Sequence, residues 1–210
     1  EIKTKNTRPS ISISEPANNA FIKGVTLIRA SLVNAEGVSS AEISIEQGGN
    51  ITKANMTCNA NITNCNYSLN TNMYTDGGYT IKAKAVNSLN LDVSSSIAVA
   101  IDNAKPLVTI VQPTASVKGD FDIIADITDA NLNQNKVVFN VSSFNGSLTC
   151  TPQTPSKFTC STGFNSKQLP DGRYVLYVSA RDKAENLAVE SKEITVANQA
   201  ASSSGQAGSN

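Results

Sequence analysis

The 210-residue chain contains no histidine and no tryptophan, and only 16% of its residues are charged. Without histidine it lacks the commonest general base, the commonest metal ligand and every histidine-containing catalytic triad. It also has no Gly-x-Ser-x-Gly nucleophile motif and no recognisable pair of catalytic carboxylates. These absences predict a protein that is not an enzyme and that needs no cofactor.

The few charges are balanced, with 17 basic and 17 acidic residues. A neutral chain without a Lys/Arg cluster lacks the surface with which proteins bind nucleic acid or anionic membranes. No run of 18 apolar residues occurs, so no membrane span is predicted. The chain begins with Glu1 and has no signal-like segment, which indicates a mature or excised segment whose targeting sequence has been removed.

An internal repeat is the strongest pattern in the sequence. Residues 76–87 (DGGYTIKAKAVN) align without gaps with residues 171–182 (DGRYVLYVSARD), at an offset of about 95 residues. Upstream, residues 12–16 match residues 109–113 at nearly the same offset. A unit of roughly 95 residues has the size of a seven-stranded β-sandwich. The alternative, one continuous larger sandwich, fits the clean repeat less well.

Both halves of the repeat have the composition of strands. Five segments are rich in β-branched residues or alternate apolar with polar positions: 25–33, 41–46, 121–128, 136–142 and 174–181. Clusters of Asn, Gly, Asp and Pro separate them, as turns do. Tyr79 and Tyr174 each follow an Asp-Gly turn and are predicted at equivalent buried positions at the start of matching strands. We therefore predict an all-β fold of two tandem β-sandwiches.

The domain boundary is predicted at residues 101–106 (IDNAKP), between the last strand of one unit and the first of the next. The expected organisation is an N-terminal extension, two domains and a flexible Ser/Gly/Ala-rich tail. The corresponding residues are 1–8, 9–102, 106–197 and 198–210.

Residues 169–174 (LPDGRY) and 180–186 (ARDKAEN) resemble the penultimate strand of prokaryotic immunoglobulin-like repeats, which often has the pattern L-P-D-G-x-Y and then A-x-D-x-A-G-N. Residues 102–110 (DNAKPLVTI) are similar to the seam between such repeats. The resemblance spans roughly residues 8–197 and implies two immunoglobulin-like domains at a cell surface. The cysteines do not lie where antibody domains place theirs, and the tryptophan of those domains is missing.

The four cysteines form two local pairs, Cys58 with Cys65 and Cys150 with Cys160, one in each repeat. Four cysteines allow three connectivities, and the repeat favours one disulfide within each unit. A zinc site is an alternative, although the spacing and the lack of histidine fit it poorly; free thiols are another. Disulfides would indicate an oxidising compartment, which is extracellular or at the cell surface.

Six Asn-x-Ser/Thr sequons are candidates for N-glycosylation. About five would arise by chance in a chain so rich in Asn, Ser and Thr, so the number alone indicates nothing. Their clustering around the first cysteine pair is more suggestive. The candidate residues are Asn50, Asn55, Asn61, Asn66, Asn140 and Asn145.

Acidic residues concentrate around Asp120, Asp122, Asp126 and Asp129. Calcium prefers such oxygen ligands, but no Asp-x-Asp-x-Asp-Gly loop is present, so no metal ligand is assigned. Asp182 is expected to accept hydrogen bonds from the turn that follows it.

These features predict an extracellular structural protein, the building block of a surface filament, surface layer or stalk. Its expected partners are copies of itself or neighbouring surface proteins, together with covalent glycans. The alternative is an adhesin or a carbohydrate-binding accessory module. Sugar binding usually requires exposed aromatic side chains, and only 5% of the residues are aromatic.

Overall fold

The computed structural model describes residues 9–35, 37–87 and 91–199. The chain divides into two compact units, Glu1–Ala104 and Lys105–Asn210. The strands of the first unit lie between Ser10 and Ile101, and those of the second between Leu107 and Val196. The predicted extension 1–8 lies outside the described residues, as does all of the predicted tail except residues 198 and 199.

The described residues of the first unit form nine strands arranged in two sheets. They are β1 Ser10–Glu15, β2 Ala20–Ile22, β3 Val25–Val33, β4 Val38–Gln47, β5 Asn50–Asn55, β6 Thr57–Cys58, β7 Asn64–Asn70, β8 Gly77–Asn87 and β9 Asp92–Ile101. One sheet has the order β1-β3-β7-β6, and the other has the order β2-β9-β8-β4-β5. All pairings are antiparallel except that of β2 with β9, which is parallel.

The second unit repeats this topology strand for strand. Its strands are β10 Leu107–Gln112, β11 Ser116–Val117, β12 Asp120–Thr128, β13 Leu132–Val141, β14 Phe144–Ser147, β15 Thr149–Thr154, β16 Lys157–Asn165, β17 Gly172–Asp182 and β18 Leu187–Val196. The sheets have the orders β10-β12-β16-β15 and β11-β18-β17-β13-β14. Only the pairing of β11 with β18 is parallel.

The core of each unit is built by alternation, since successive side chains of a strand point to opposite faces of the sheet. Strand β8 buries Ile81, Ala83 and Ala85, and the corresponding positions of β17 are buried as well. Each unit has its own apolar cluster between its two sheets. The all-β prediction is confirmed, and so is the predicted strand 25–33, which coincides with β3.

The predicted strand 136–142 has wrong ends. Strand β13 starts earlier, at Leu132, and stops at Val141. Ser142 cannot continue it because this residue has φ +55° in the turn that leads to β14. A left-handed backbone conformation of this kind ends the extended strand.

The two tyrosines occupy equivalent positions but are not equally buried. The Tyr79 hydroxyl donates to the carbonyl of Thr75 at 2.9 Å, and the Tyr174 hydroxyl donates to that of Pro170 at 3.0 Å. This bond to the backbone a few residues upstream is the tyrosine-corner arrangement. Tyr79 is 7% exposed, whereas Tyr174 is only half-buried, so the prediction that both are buried is wrong for Tyr174.

A neighbouring ring accounts for this difference in burial. Tyr74 packs edge-on against Tyr79, with ring centroids 5.7 Å apart. The corresponding residue of the second unit is Leu169, which has no ring to cover Tyr174. Alternation in the sequence therefore identified the face on which the tyrosine lies, but the depth of burial depends on a residue of a different element.

Candidate functional site

Asn103 ties the end of the first unit to two earlier turns. Its Oδ1 accepts hydrogen bonds from the N–H of Gly24 at 2.9 Å and from the hydroxyl of Thr71 at 2.8 Å. Its Nδ2 donates to the carbonyl of Thr71 at 3.2 Å. The Asp76 carboxylate accepts from the backbone N–H of Asn103 at 2.9 Å and of Ala104 at 3.2 Å. We call Gly24, Thr71, Asp76 and Asn103 the closing network of this unit.

The second unit contains the same network, displaced by 95 positions. Asn198 Oδ1 accepts from the N–H of Gly119 at 3.2 Å and from the hydroxyl of Ser166 at 2.6 Å. Asn198 Nδ2 donates to the carbonyl of Ser166 at 3.0 Å. The Asp171 carboxylate accepts from the backbone N–H of Asn198 at 2.8 Å and of Gln199 at 3.1 Å. Gly119, Ser166, Asp171 and Asn198 form its closing network.

Local sequence places the groups of both networks. Gly24 and Gly119 have φ +56° and +64°, a left-handed conformation that glycine adopts without steric cost. Thr71 and Ser166 each begin a short 3₁₀ helix and are fully buried. A buried hydroxyl needs a hydrogen-bond partner. Asn198 supplies it to Ser166, whereas Thr71 has two acceptors within reach, Asn103 and the carbonyl of Gly24 at 2.9 Å.

The closing networks lie beside the parallel strand pairs. In the first unit β2 pairs with β9 from Ala20–Val99 to Ile22–Ile101, and Asn103 follows two residues later. In the second unit Val117 pairs with Val196, and Asn198 again follows two residues later. The hydrogen bonds of each network therefore lie where the second strand of the unit pairs with its last strand. The contacts are hydrogen bonds, so this arrangement binds segments of the chain together and supplies no reactive group.

The predicted tail begins too early at residue 198. Asn198 is partly buried and, with Gln199, is bonded to Asp171. The partners Gly119 and Asn198 are 79 positions apart in the chain, so the local Ser/Gly/Ala composition did not indicate the contact. A signal was nevertheless present, because Asn103 and Asn198 are related by the repeat offset and each follows its Asp-Gly turn at the same distance.

Both cysteine pairs are bridged across neighbouring antiparallel strands. Cys58 on β6 is directly opposite Cys65 on β7, with Cα atoms 4.0 Å apart. Cys150 on β15 is opposite Cys160 on β16, with Cα atoms 3.9 Å apart. Each bridge fastens the edge strand of the four-stranded sheet to its neighbour. No described cysteine is free, so this arrangement leaves no thiolate for zinc.

All six sequon asparagines are exposed. Four of them lie between residues 50 and 66, around the first disulfide, and the other two lie opposite each other on the β13–β14 pair. Asn50 and Asn55 lie on β5, Asn61 in the β6–β7 loop, Asn66 on β7, Asn140 on β13 and Asn145 on β14. Accessibility is necessary for glycosylation, which stays a prediction.

The acidic residues are dispersed among separate hydrogen bonds. Asp120 accepts from Asn165 at 2.6 Å, and Asp126 accepts from Thr159 at 2.8 Å. Asp182 accepts from the backbone N–H and side-chain amide of Asn186 at 2.7 and 2.6 Å, as predicted for the turn after it. Within the described ranges, no group of three or more Cys, Asp or Glu side chains could hold a metal ion.

Comparison with known families found one match, within the first unit. Residues 9–83 match the sequence model of a family described as the bacterial Ig domain. This match confirms the predicted resemblance to prokaryotic immunoglobulin-like repeats. A search of curated proteins found no match. Across the part of the chain that the structure describes, no helix is long and apolar enough to cross a membrane.

Two solved structures with which the chain shares a general likeness contain repeated modules. The fibronectin(III)-like modules of CbhA from Clostridium thermocellum are 16% identical, with 90% of this chain and 94% of that chain covered and a TM-score of 0.48. A tetra-tandem repeat from the extending region of a large adhesion protein is 19% identical, with coverages of 90% and 49% and a TM-score of 0.38.

Proposed function

We propose that the chain is a non-catalytic extracellular structural protein, a building block of a surface filament, surface layer or stalk. The observation that carries the proposal is the closing network, which recurs with the same partners in both units. A ligand-binding protein needs one prepared site, whereas a structural element needs each repeated unit to withstand load. The presence of a closing network in both units is what a structural element requires.

The position of the closing network suits tension along the chain. Pulling on the two ends of a unit shears its second strand against its last strand, because β2 and β9 are parallel, as are β11 and β18. The hydrogen bonds of a parallel pair are evenly spaced and run at a slant from one strand to the other. They are therefore loaded together instead of one after another. Asn103 and Asn198 add side-chain bonds at this same place.

Surface chemistry supports association between copies. The chain has no net charge, so long-range repulsion between copies is weak. The edge strands β1 and β10 contain no lysine, the residue that natural proteins often use to prevent edge-to-edge pairing. The two disulfides support an oxidising, extracellular setting for such an assembly. Copies of this chain or neighbouring surface proteins are then its partners.

Electron microscopy of the native material, with mass measurement across concentration, tests this proposal. We expect a fibre, a lattice or a longer assembled stalk, with mass that rises with concentration. A strictly monomeric protein that binds soluble glycans would contradict the proposal and would support an adhesin or carbohydrate-binding module.

A pair of variants tests whether the edges take part in association. Leu107 lies on the edge strand β10 and is 66% exposed, so Leu107→Lys should reduce association if this edge pairs with another copy. Ser94→Lys, on the outer face of the interior strand β9, is the control and should leave association unchanged.

A further inference from the structure

The outer face of the second unit's five-stranded sheet contains a row in which a sequon lies beside an exposed tyrosine. Asn145 on β14, Asn140 on β13, Tyr177 on β17 and Ser191 on β18 are successive cross-strand partners. Tyr177 is 45% exposed. Val138, two residues before Asn140 on the same strand, is 39% exposed, so the asparagine is bordered by apolar surface.

The first unit has the same row with different chemistry. There the cross-strand partners are Lys53, Ser44, Lys82 and Ser96. Ion pairs join this row to its neighbours, because Lys53 lies 3.3 Å from Glu42 of the next row. Lys84, the cross-strand partner of Glu42, lies 3.0 Å from Asp92. In the first unit the row contains no sequon, and the side chains around it are charged. In the second unit the row contains the sequon residue Asn140, whose neighbours Tyr177 and Val138 are aromatic and aliphatic.

We propose that Asn140 is the N-glycosylated residue of the second unit and that Tyr177 packs against the first sugar. A pyranose ring has one face made largely of C–H groups, which suits the apolar body of a tyrosine whose hydroxyl stays in water. Directly opposite cross-strand residues have Cβ atoms about 5 Å apart, so a sugar on Asn140 can reach the ring. The sugar also covers Val138.

The attachment is a group transfer from a lipid-linked sugar pyrophosphate, catalysed by an oligosaccharyltransferase. Nδ2 of Asn140 attacks C1 of the donor sugar, the N–C1 bond forms, and the C1–O bond to the pyrophosphate breaks. The lipid pyrophosphate leaves with the electron pair, and Nδ2 gives up one proton to the base of the transferase. The exposed Ser142 completes the sequon in the turn after β13.

Asn145 is the competing sequon, and its position argues against it. It faces Asn140 across the β13–β14 pair and lies on the side away from Tyr177. Two sugars on directly opposite asparagines would occupy the same space, so a chain modified at Asn140 is not modified at Asn145.

The strand sequons of the first unit provide a comparison within the same molecule. Their cross-strand partners are polar or charged: Gln47 for Asn50, Glu42 for Asn55, and Arg29 and Thr57 for Asn66. A sugar on any of these has no aromatic cross-strand partner. Stabilisation by an attached sugar is therefore a property of Asn140 in this set.

The test uses the whole chain secreted from a host that glycosylates Asn-x-Ser/Thr sequons. Glycopeptide mapping should find Asn140 modified and no chain modified at both Asn140 and Asn145. Glycans are then trimmed to a single sugar, and the Tm is compared with that of Asn140→Gln. We expect the sugar to raise the Tm of the second unit by on the order of 4 °C.

Tyr177→Ser should abolish this gain in Tm. Leu187→Ser is the matched control, because Leu187 is 39% exposed on the same sheet face and pairs with Arg181, away from Asn140; it should retain the gain. The proposal is overturned by an unmodified Asn140, by chains modified at both asparagines, or by an undiminished gain in Tyr177→Ser.

Discussion

In the first unit the outer face of the five-stranded sheet carries Lys82 and Asp92, whereas the second unit has Tyr177 and Leu187 at these positions. The closing networks, by contrast, keep the same donors and acceptors in both units. Bonds that close the fold are constrained by geometry, because each donor must meet one acceptor. A solvent-facing position has no such constraint, so the outer faces are where the two units are free to differ in function.

The cores also differ, because an aromatic side chain of the second unit corresponds to an aliphatic side chain of the first. Phe164 packs edge-on against Phe121, Phe139 and Phe144, with ring centroids 5.7, 5.8 and 5.7 Å apart. The corresponding residue of the first unit is Leu69, which is 1% exposed. Edge-to-face pairs of rings add stabilisation beyond the area that they bury. The same sandwich is thus filled in two ways.

The largest expected effect comes from emptying these equivalent core positions. Phe164→Ala should lower the free energy of unfolding of the second unit by about 3–5 kcal/mol, because a ring with three aromatic neighbours is lost. Leu69→Ala, its counterpart, should cost the first unit about 2–5 kcal/mol. Denaturant unfolding followed by probes in each unit would measure both. A variant that destabilised the other unit instead would contradict the claim that each unit has its own core.

The tyrosines should differ in proportion to their burial. Tyr79→Ala should cost about 3–5 kcal/mol, since the ring is buried and is covered by Tyr74. Tyr174→Ala should cost roughly half as much, because much of its ring surface already contacts water. Thermal unfolding of the two variants measures the difference. Equal losses would show that burial of the ring does not set the cost.

The tyrosines also show how far sequence reasoning reaches. The repeat and the alternation of residues 174–181 predicted the strand and its inward face, because both are local properties of the chain. The burial of Tyr79 depends on Tyr74, and the role of Asn198 depends on Gly119, 79 positions away. Such contacts depend on which elements meet in space, and local pattern carries no information about that. Only the repeat offset linked Asn103 with Asn198.

Removal of the disulfides is expected to have the next largest effect on the free energy of unfolding. Replacing Cys58 and Cys65 by serine should cost the first unit about 2.5 kcal/mol, and replacing Cys150 and Cys160 should cost the second slightly more, because its closed loop is longer. Peptide mapping without reduction checks the predicted pairing directly. A bridge between the two units would refute both the pairing and the alignment of the repeats.

The smallest expected effect on stability concerns the closing networks, and it bears most directly on the structural role. Asn103→Ala leaves the N–H of Gly24 without its partner and removes one of the two acceptors near the buried hydroxyl of Thr71, which should cost about 1–3 kcal/mol. Asn198→Ala should cost the second unit at least as much, because the buried Ser166 hydroxyl donates to Asn198. Ser94→Ala, on the outer face of β9 and outside either network, is the control and should be nearly neutral.

Single-molecule pulling on the whole chain is the most direct test of the claim that these networks bear load. The unaltered protein should show two unfolding events, one for each unit. Asn103→Ala should lower the force of one event and Asn198→Ala that of the other, while Ser94→Ala changes neither. Unfolding forces that stay the same in both asparagine variants would contradict a load-bearing role for the closing networks.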